Sequence, residues 1–305
     1  MKKIISIGEV LVDVYSNNSE LQVEVGGASF NVACSIAALK NNESFFMGSL
    51  GNDEYKEKIE LLINKFNIKK QFIQYSKLAT TIAKVTLDEN KERFFEFIRN
   101  SDADFKLENI DTDKLKEIDF IHFGSATAFL PGNLNKSYWD LFKFAKENKI
   151  KFCFDPNFRD KLWVTENEVK EFTNLCEQFL ETANLIKLSD EELFLLTKIK
   201  DEKEALKILM NKNKKSLICI TRGSKDTMCS WNNEIIFVPT IKSDVIADTT
   251  GAGDAFISCL INEYVKEKID VNSSKEKIIE IVSKANKFAN KAVKYIGALS
   301  FLEKL

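Results

Sequence analysis

Apolar and polar positions along the chain follow two rhythms, and the change between them marks its organisation. Residues 3–6 read as a first strand that ends at Gly8-Glu9. Residues 10–25 alternate apolar and polar around a turn cluster at 16–19, the pattern of a hairpin. Gly26-Gly27 then opens a helix through Leu39, residues 45–47 form a short buried strand, and 48–53 lead into an amphipathic helix ending near Phe66. Two further alternating runs, 80–87 and 93–98, are joined by Asp88-Glu89-Asn90 and predict a second hairpin, half exposed as a flap would be.

After Asp119 the rhythm becomes strand, helix, strand, helix. Apolar runs at 120–123, 152–154, 185–186 and 217–220 alternate with amphipathic helices at 133–147, 166–180 and 189–196. Such alternation predicts an α/β fold, a parallel sheet covered on both faces. Ligands gather at the carboxyl ends of the strands in such sheets. The polar candidates fall there, at 155–159, 187–192, 221–223 and Asp254. No internal repeat or low-complexity linker interrupts the pattern, so one domain over 1–305 with a small β flap is expected.

The composition of the 305 residues, 44% hydrophobic and 30% charged, suits a soluble chain with a sizeable core. With 44 basic against 46 acidic residues and no basic block, nucleic acid is not expected as the main partner. No apolar run approaches the roughly 18 residues that span a bilayer, so no membrane partner is expected. The apolar part of the N-terminus is too short for a signal peptide. Six scattered cysteines and one histidine lack zinc spacing, and Cys153 and Cys219 sit in apolar runs as small core residues. A reducing, cytoplasmic compartment follows. His122, inside an apolar run, reads as a packed strand residue.

One stretch carries the chemistry: Asp248-Thr249-Thr250-Gly251-Ala252-Gly253-Asp254-Ala255-Phe256. Two glycines around an alanine let successive N–H groups point one way at the start of a buried helix, which makes an anion site. Asp254 beside it is costly unless it removes a proton while the anion site holds a phosphoryl group. Elsewhere each candidate has a plainer alternative. Gly26-Gly27 is either a tight turn or a close-approach surface that works with Asn31 on sugar hydroxyls. Asp13 either accepts two hydroxyl hydrogens or is a solvated hairpin carboxylate. Asp155-Pro156-Asn157 suits a turn, and Arg159 a surface charge. Ser189 and Glu192 have the spacing of a capping box, which still leaves Glu192 able to hold a magnesium water. A P-loop is absent, and Gly251-Ala252-Gly253 lacks the third glycine of a dinucleotide fingerprint.

Together these residues resemble the ribokinase-like (PfkB) carbohydrate kinase family nearly end to end: Gly8-Glu9-Val10 through Asp13, Gly26-Gly27 with Asn31, 48–53, Asp155-Pro156-Asn157, Lys187-Leu188-Ser189, Thr221-Arg222-Gly223 and 248–256. The resemblance implies a three-layer α/β/α fold with a mostly parallel central sheet and a β lid from about 9–25 and 78–99. It implies ATP-dependent phosphorylation of a primary hydroxyl of a small sugar, with Asp254 as base and the N–H groups of Gly251, Ala252 and Gly253 as anion hole. Asp13, Gly26, Gly27, Asn31, Asn157 and Arg159 would meet the sugar. Lys187, Ser189, Glu192, Thr221 and Gly223 would meet ATP, with Asn290 near its base and Mg²⁺ on its phosphates. Asp248 and the Thr250 backbone would hold a monovalent cation, K⁺. The lid face would either pair with a second subunit as a homodimer or only cover sugar.

Within the family the pattern is similar to fructokinases: Gly8-Glu9-Val10-Leu11-Val12-Asp13, the Arg93-Phe94-Phe95 lid strand, and Asp155-Pro156-Asn157-Phe158-Arg159 before Leu162-Trp163. Fructose to fructose 6-phosphate is the implied reaction. Alternatives are a 2-keto-3-deoxygluconate kinase, with Arg159 pairing the substrate carboxylate, then ribokinase or nucleoside kinase, and a catalytically silent sugar-binding regulator. Three departures stand out. Fructokinases more often have proline in place of Ser29, Asp226 interrupts the usual T-x-G-x-x-G nucleotide loop, and Ser189 replaces the asparagine of N-x-x-E. An Asp254 of ordinary pKa is expected to suffice, since the hydroxyl turns strongly acidic only late in transfer.

Overall fold

The computed structural model describes residues 1–17, 20–87 and 93–305. The chain enters through β1 (Lys3–Ile7), then a hairpin of β2 (Leu11–Asn17) and β3 (Glu20–Gly26). Helix α1 (Ala28–Ala38), β4 (Glu43–Leu50), α2 (Lys56–Lys65) and the short β5 (Ile73–Tyr75) follow. A second hairpin, β6 (Thr81–Leu87) and β7 (Arg93–Ile98), precedes α3 (Thr112–Lys116) and β8 (Phe120–Gly124). Next come α4 (Asn133–Glu147), β9 (Lys151–Asp155), α5 (Glu166–Thr182), β10 (Leu185–Ser189), α6 (Asp190–Thr197), α7 (Glu202–Lys212) and β11 (Leu217–Arg222). The chain ends with β12 (Lys225–Trp231), β13 (Glu234–Val238), α8 (Ala252–Lys266) and α9 (Lys275–Ala292). The tips of both predicted hairpins, 18–19 and 88–92, and the side chains of Arg93, Phe94 and Phe95 lie outside the described residues.

Nine strands form one sheet in the order β13-β12-β11-β10-β9-β8-β1-β4-β5. Every pairing from β11 to β5 is parallel, and β12 pairs antiparallel with both β11 and β13 at one edge. Because side chains alternate along a strand, each strand feeds two cores. Ile4, Phe46, Phe120, Cys153 and Leu185 pack on one face with residues of α1, α8 and α9. Ile5, Phe45, Ile121, Phe154 and Ile186 pack on the other with residues of α4 and α5. The three-layer α/β/α arrangement expected from the sequence is therefore present.

Parallel strands bring their carboxyl ends to a single edge, and helix starts are anchored there. Thr165 and Glu168 cap α5, and Ser189 and Glu192 cap α6, each as a reciprocal capping box. The second box is the one the Ser189–Glu192 spacing predicts. Helix α8 is buried at every position from Asp254 to Tyr264, held between α1, α9 and the sheet. A helix apolar on most faces belongs inside the fold, and this one delivers its first turn to the strand-end edge.

The two hairpins combine into a separate four-stranded sheet, β3-β2-β6-β7, in which β2 and β6 pair in parallel. All six cysteines are buried and free, as the apolar surroundings of Cys153 and Cys219 suggested. His122 is fully buried with Nδ1 2.8 Å from Ser6 Oγ, and burial, aided by Lys187, pushes its pKa down to about 3. It is a neutral packed residue. Among the described residues no helix is long and apolar enough to cross a membrane.

Candidate active site

Two cavities open at the strand-end edge and share a wall. The first, about 520 Å³, is lined by Asn157, Lys187, Ser189, Glu192 and Gly253 among others. The second, about 300 Å³, is lined by Glu9, Asp13, Gly27, Asn31, Phe97 and Thr127 among others. Arg159, Asp160, Gly251 and Asp254 line both. The stretch that carried the chemistry in the sequence thus stands where the two spaces meet.

Asp254 sits in the first turn of α8 and is 8% exposed. Its Oδ2 accepts a 2.9 Å hydrogen bond from Asn31 Nδ2 on α1, which leaves Oδ1 for a ligand. Burial raises its pKa, against the hydrogen bond from Asn31 and the charges of Arg159 and Lys187. An ordinary carboxylate was expected to suffice; burial makes this one a stronger proton acceptor than that.

Gly251 is the N-cap of α8 with φ +76°, a left-handed conformation that side-chain-bearing residues rarely adopt. A Cβ there would also come within 2.5 Å of Ala298 Cβ. Helix α8 begins with N–H groups that have no partner within the helix and a dipole that favours anions. Of the three predicted donors, Ala252 gives its N–H to Thr249 O at 3.2 Å, closing the turn. Asp248 clamps the segment: Oδ1 accepts the Thr250 N–H and Oδ2 the Gly297 N–H, both at 2.9 Å. Although partial burial opposes it, these backbone donors hold the Asp248 pKa below the ordinary value.

Lys187, from β10, is buried and lies 3.2 Å from Asp155 Oδ1 at the end of β9. A Cβ on Gly253 would come 3.3 Å from its Nζ, so the ammonium lies against the anion-site turn. Burial opposes its charge, but Asp155, Glu192 and Asp254 together hold its pKa above the ordinary value. Burial pushes Asp155 up to about 6, opposed by Lys187 and reinforced by Glu192 and Asp254. The Glu192 carboxylate accepts N–H groups from Phe158 at 2.9 Å and Ser189 at 2.8 Å, fixing it at the rim of the first cavity.

The small sheet supplies a wall of the second cavity. Strand register aligns Glu24, Asp13, Ala83 and Phe97 in one row across β3, β2, β6 and β7. Three of the four line the cavity, with Leu11 two residues before Asp13 on the same face. Burial pushes Asp13 up to about 6, while Arg159 opposes the shift and Glu24 adds to it. Gly27, at φ +103°, turns the chain into α1; a Cβ there would come within 2.6 Å of Glu9 O.

The sequence-predicted residues divide by position. Asp13, Gly27, Asn31, Arg159, Thr250, Gly251 and Asp254 surround the second cavity, and Gly26 backs Asp13. Asn157, grouped with the sugar residues by sequence, lines the first cavity, because its left-handed turn (φ +48°) redirects the chain after β9. Thr221, Gly223 and Asn290 line neither cavity. Thr221 pairs with Ser189 across the strands, Gly223 faces open space, and Asn290 donates to Ile241 O at 2.8 Å. Sequence reasoning gave no site role to Glu9, Phe97 or Thr127, and placed Asp155 among the strand-end candidates without a specific task. Phe97 was detectable from the two-residue alternation of 93–98. For Glu9 and Asp155 nothing local shows that the strand ends where they lie are covered.

The whole chain, residues 1–305, matches the family described as pfkB family carbohydrate kinase, and it belongs to that family. It is an ATP-dependent carbohydrate kinase. Among curated proteins it is 31% identical over 300 residues to Fructokinase-2 of Zea mays, covering 94% of this chain and 86% of that protein. It is 30% identical over 312 residues to the probable chloroplastic fructokinase-6 of Arabidopsis thaliana, covering 98% and 79%. Among solved structures it is similar to fructokinase from Vibrio cholerae O395 with fructose, ADP and calcium ion bound. That match has a TM-score of 0.85 at 25% identity over 99% of this chain and 96% of the other. Fructokinase of Xylella fastidiosa with bound ATP shares the fold at TM-score 0.85 and 23% identity, covering 98% and 94%.

Proposed function

We propose that the chain transfers the γ-phosphoryl group of ATP to a primary hydroxyl of a small neutral sugar, with fructose the first candidate. The observation that carries this is the shared wall, where Asp254 and Gly251 border both cavities. ATP would occupy the first cavity, with its transferring group at the start of α8, and the sugar the second. The sugar oxygen forms a bond to γ-phosphorus as the bond to the ADP oxygen breaks, and the hydroxyl proton passes to Asp254 Oδ1. Positioning and charge stabilisation by the α8 turn and Lys187 supply most of the catalysis. Mg²⁺ arriving on the ATP phosphates would neutralise further charge, with Glu192 placed to hold one of its waters. The four-stranded sheet would act as the lid that excludes water.

The charge of the second cavity favours a neutral sugar. Glu9, Asp13, Asp160 and Asp254 outnumber Arg159 and Lys161 along its wall. The acidic-sugar reading rests on Arg159, the guanidinium shared by both cavities. A coupled assay of ATP consumption over neutral and acidic sugars tests the function, and fructose is expected to give the highest kcat/KM. Arg159→Ala should lower kcat/KM for fructose only a few-fold. A loss of about 100-fold or more confined to a sugar acid, as expected for a broken bidentate pair, would instead establish the acidic substrate. No ATP consumption with any sugar would overturn the kinase reading.

Asp13 sets a pH dependence. Its carboxylate accepts two hydroxyl hydrogens only when ionised, and it gains a proton as pH falls through about 6. The kcat/KM for sugar should therefore fall below that pH, approaching about tenfold per unit for one essential carboxylate. In Asp13→Asn the curve should be low throughout and fall less steeply through this range, leaving the acid limb of Asp254 and Glu9; an unchanged shape would assign the inflection elsewhere.

A further inference from the structure

Three residues that line the second cavity each carry a buried side-chain oxygen with no protein partner: Glu9 Oε2, Asn31 Oδ1 and Thr127 Oγ1. Glu9 and Thr127 are 0% and 1% exposed. A buried polar atom left unpaired costs about 1–3 kcal/mol, so three such atoms around one space point to a ligand that satisfies them. A polyol does so, because each hydroxyl both donates and accepts. Asn31 already belongs to the sugar reading through Asp254. Glu9 and Thr127 do not.

We infer that Glu9 and Thr127 are specificity-determining residues, each reading a hydroxyl of the acceptor sugar directly or through one bound water. This rests on the sugar-kinase reading above. Glu9 follows β1 and Thr127 follows β8, neighbouring strands, so the two residues rise from the sheet edge while Asp13 comes from the small sheet. Glu9 is held in place from α1: its Oε1 accepts the Ser29 N–H at 3.3 Å. The bond needs the Ser29 N–H, which a proline at this position would lack. Ser29 is the second residue of α1, in the first turn, where proline is tolerated. Arg99 braces the other side, donating from Nε to Asp102 at 3.0 Å and from Nη2 to Thr127 O at 3.1 Å. Burial also pushes Glu9 up to about 7, with Asp102 adding to the shift, so near neutrality it can both accept and donate.

The test measures binding by calorimetry, with a non-hydrolysable ATP analogue present, of the best-bound sugar of the panel and its monodeoxy analogues. Wild type should bind one deoxy analogue about 10- to 100-fold more weakly than the parent, the range for leaving a buried polar group unpaired. Glu9→Gln keeps an acceptor for Ser29 N–H but turns the other end into a donor, and it should bring that ratio close to one. Thr127→Val, nearly isosteric, should do the same for a different analogue. Ser29→Pro should shift the ratio in the direction of Glu9→Gln, whereas Ser29→Ala, which keeps the N–H, should preserve the wild-type discrimination. The inference is overturned if Glu9→Gln and Thr127→Val weaken every analogue by one common factor, or if wild type binds no sugar. Binding without sugar-dependent ATP consumption would sink the kinase reading alone, and the ratios would still decide the roles of Glu9 and Thr127.

Discussion

Asp254→Asn should lower kcat by about 10²–10⁴-fold, the range for loss of a positioned general base, while the sugar Kd changes only a few-fold. Asparagine can still offer its carbonyl oxygen to Asn31 Nδ2, so the α1–α8 contact at 2.9 Å should persist. The variant should also be no less stable than wild type near neutral pH. Wild-type Asp254 is a buried carboxylate whose raised pKa reflects a folded state that disfavours its charge. The neutral amide lacks that penalty. The sign is fixed: a carboxyl with raised folded pKa makes stability fall as pH rises from the unfolded value through the folded one, and Asp254→Asn should lose this share of the slope. Turnover, sugar calorimetry and thermal unfolding at pH 5 and 8 separate the effects. A variant retaining kcat within a few-fold would show that proton removal needs no base here.

The parts legible in the sequence are those whose physics is local. A glycine turn, a lone carboxylate and an apolar run share one stretch, so the 248–256 site could be read directly. The spacing from Ser189 to Glu192 carries its own cap. The contacts that make the site work join distant segments. Asn31 meets Asp254 across 223 positions, and Lys187 meets Asp155 across 32. No periodicity records such pairings. Burial is equally invisible at chain ends of strands: Glu9 and Asp155 are 0% exposed although each follows an apolar run like an ordinary solvated carboxylate. The antiparallel β12–β13 edge escaped notice although Ile235-Ile236-Phe237-Val238 is a solid apolar run, because its partner β12 opens on the polar Lys225-Asp226-Thr227 and only the pairing of the two shows them to be strands.

Removing the buried ammonium should produce the second large effect, on stability and turnover together. Lys187→Met fills similar volume but leaves Asp155, whose Oδ2 already has no partner, uncompensated beside Glu192 and Asp254. Breaking a buried pair on one side costs about 3–5 kcal/mol. With its cation gone, Asp155 rises further in pKa, so protonation relieves the penalty and the variant should be closer to wild type at pH 5 than at pH 8. The ammonium also lies against Gly253, and loss of that charge from the anion-site turn should lower kcat by about 10²–10³-fold, as for other donors to a developing charge. The double variant Asp155→Asn with Lys187→Met separates the two roles. It should recover most of the stability, because the Asp155 charge is no longer left unpaired, and none of the turnover. If turnover returned with stability, Lys187 would be a structural partner of Asp155 alone, and charge stabilisation would fall to the α8 turn and the metal carried by the nucleotide.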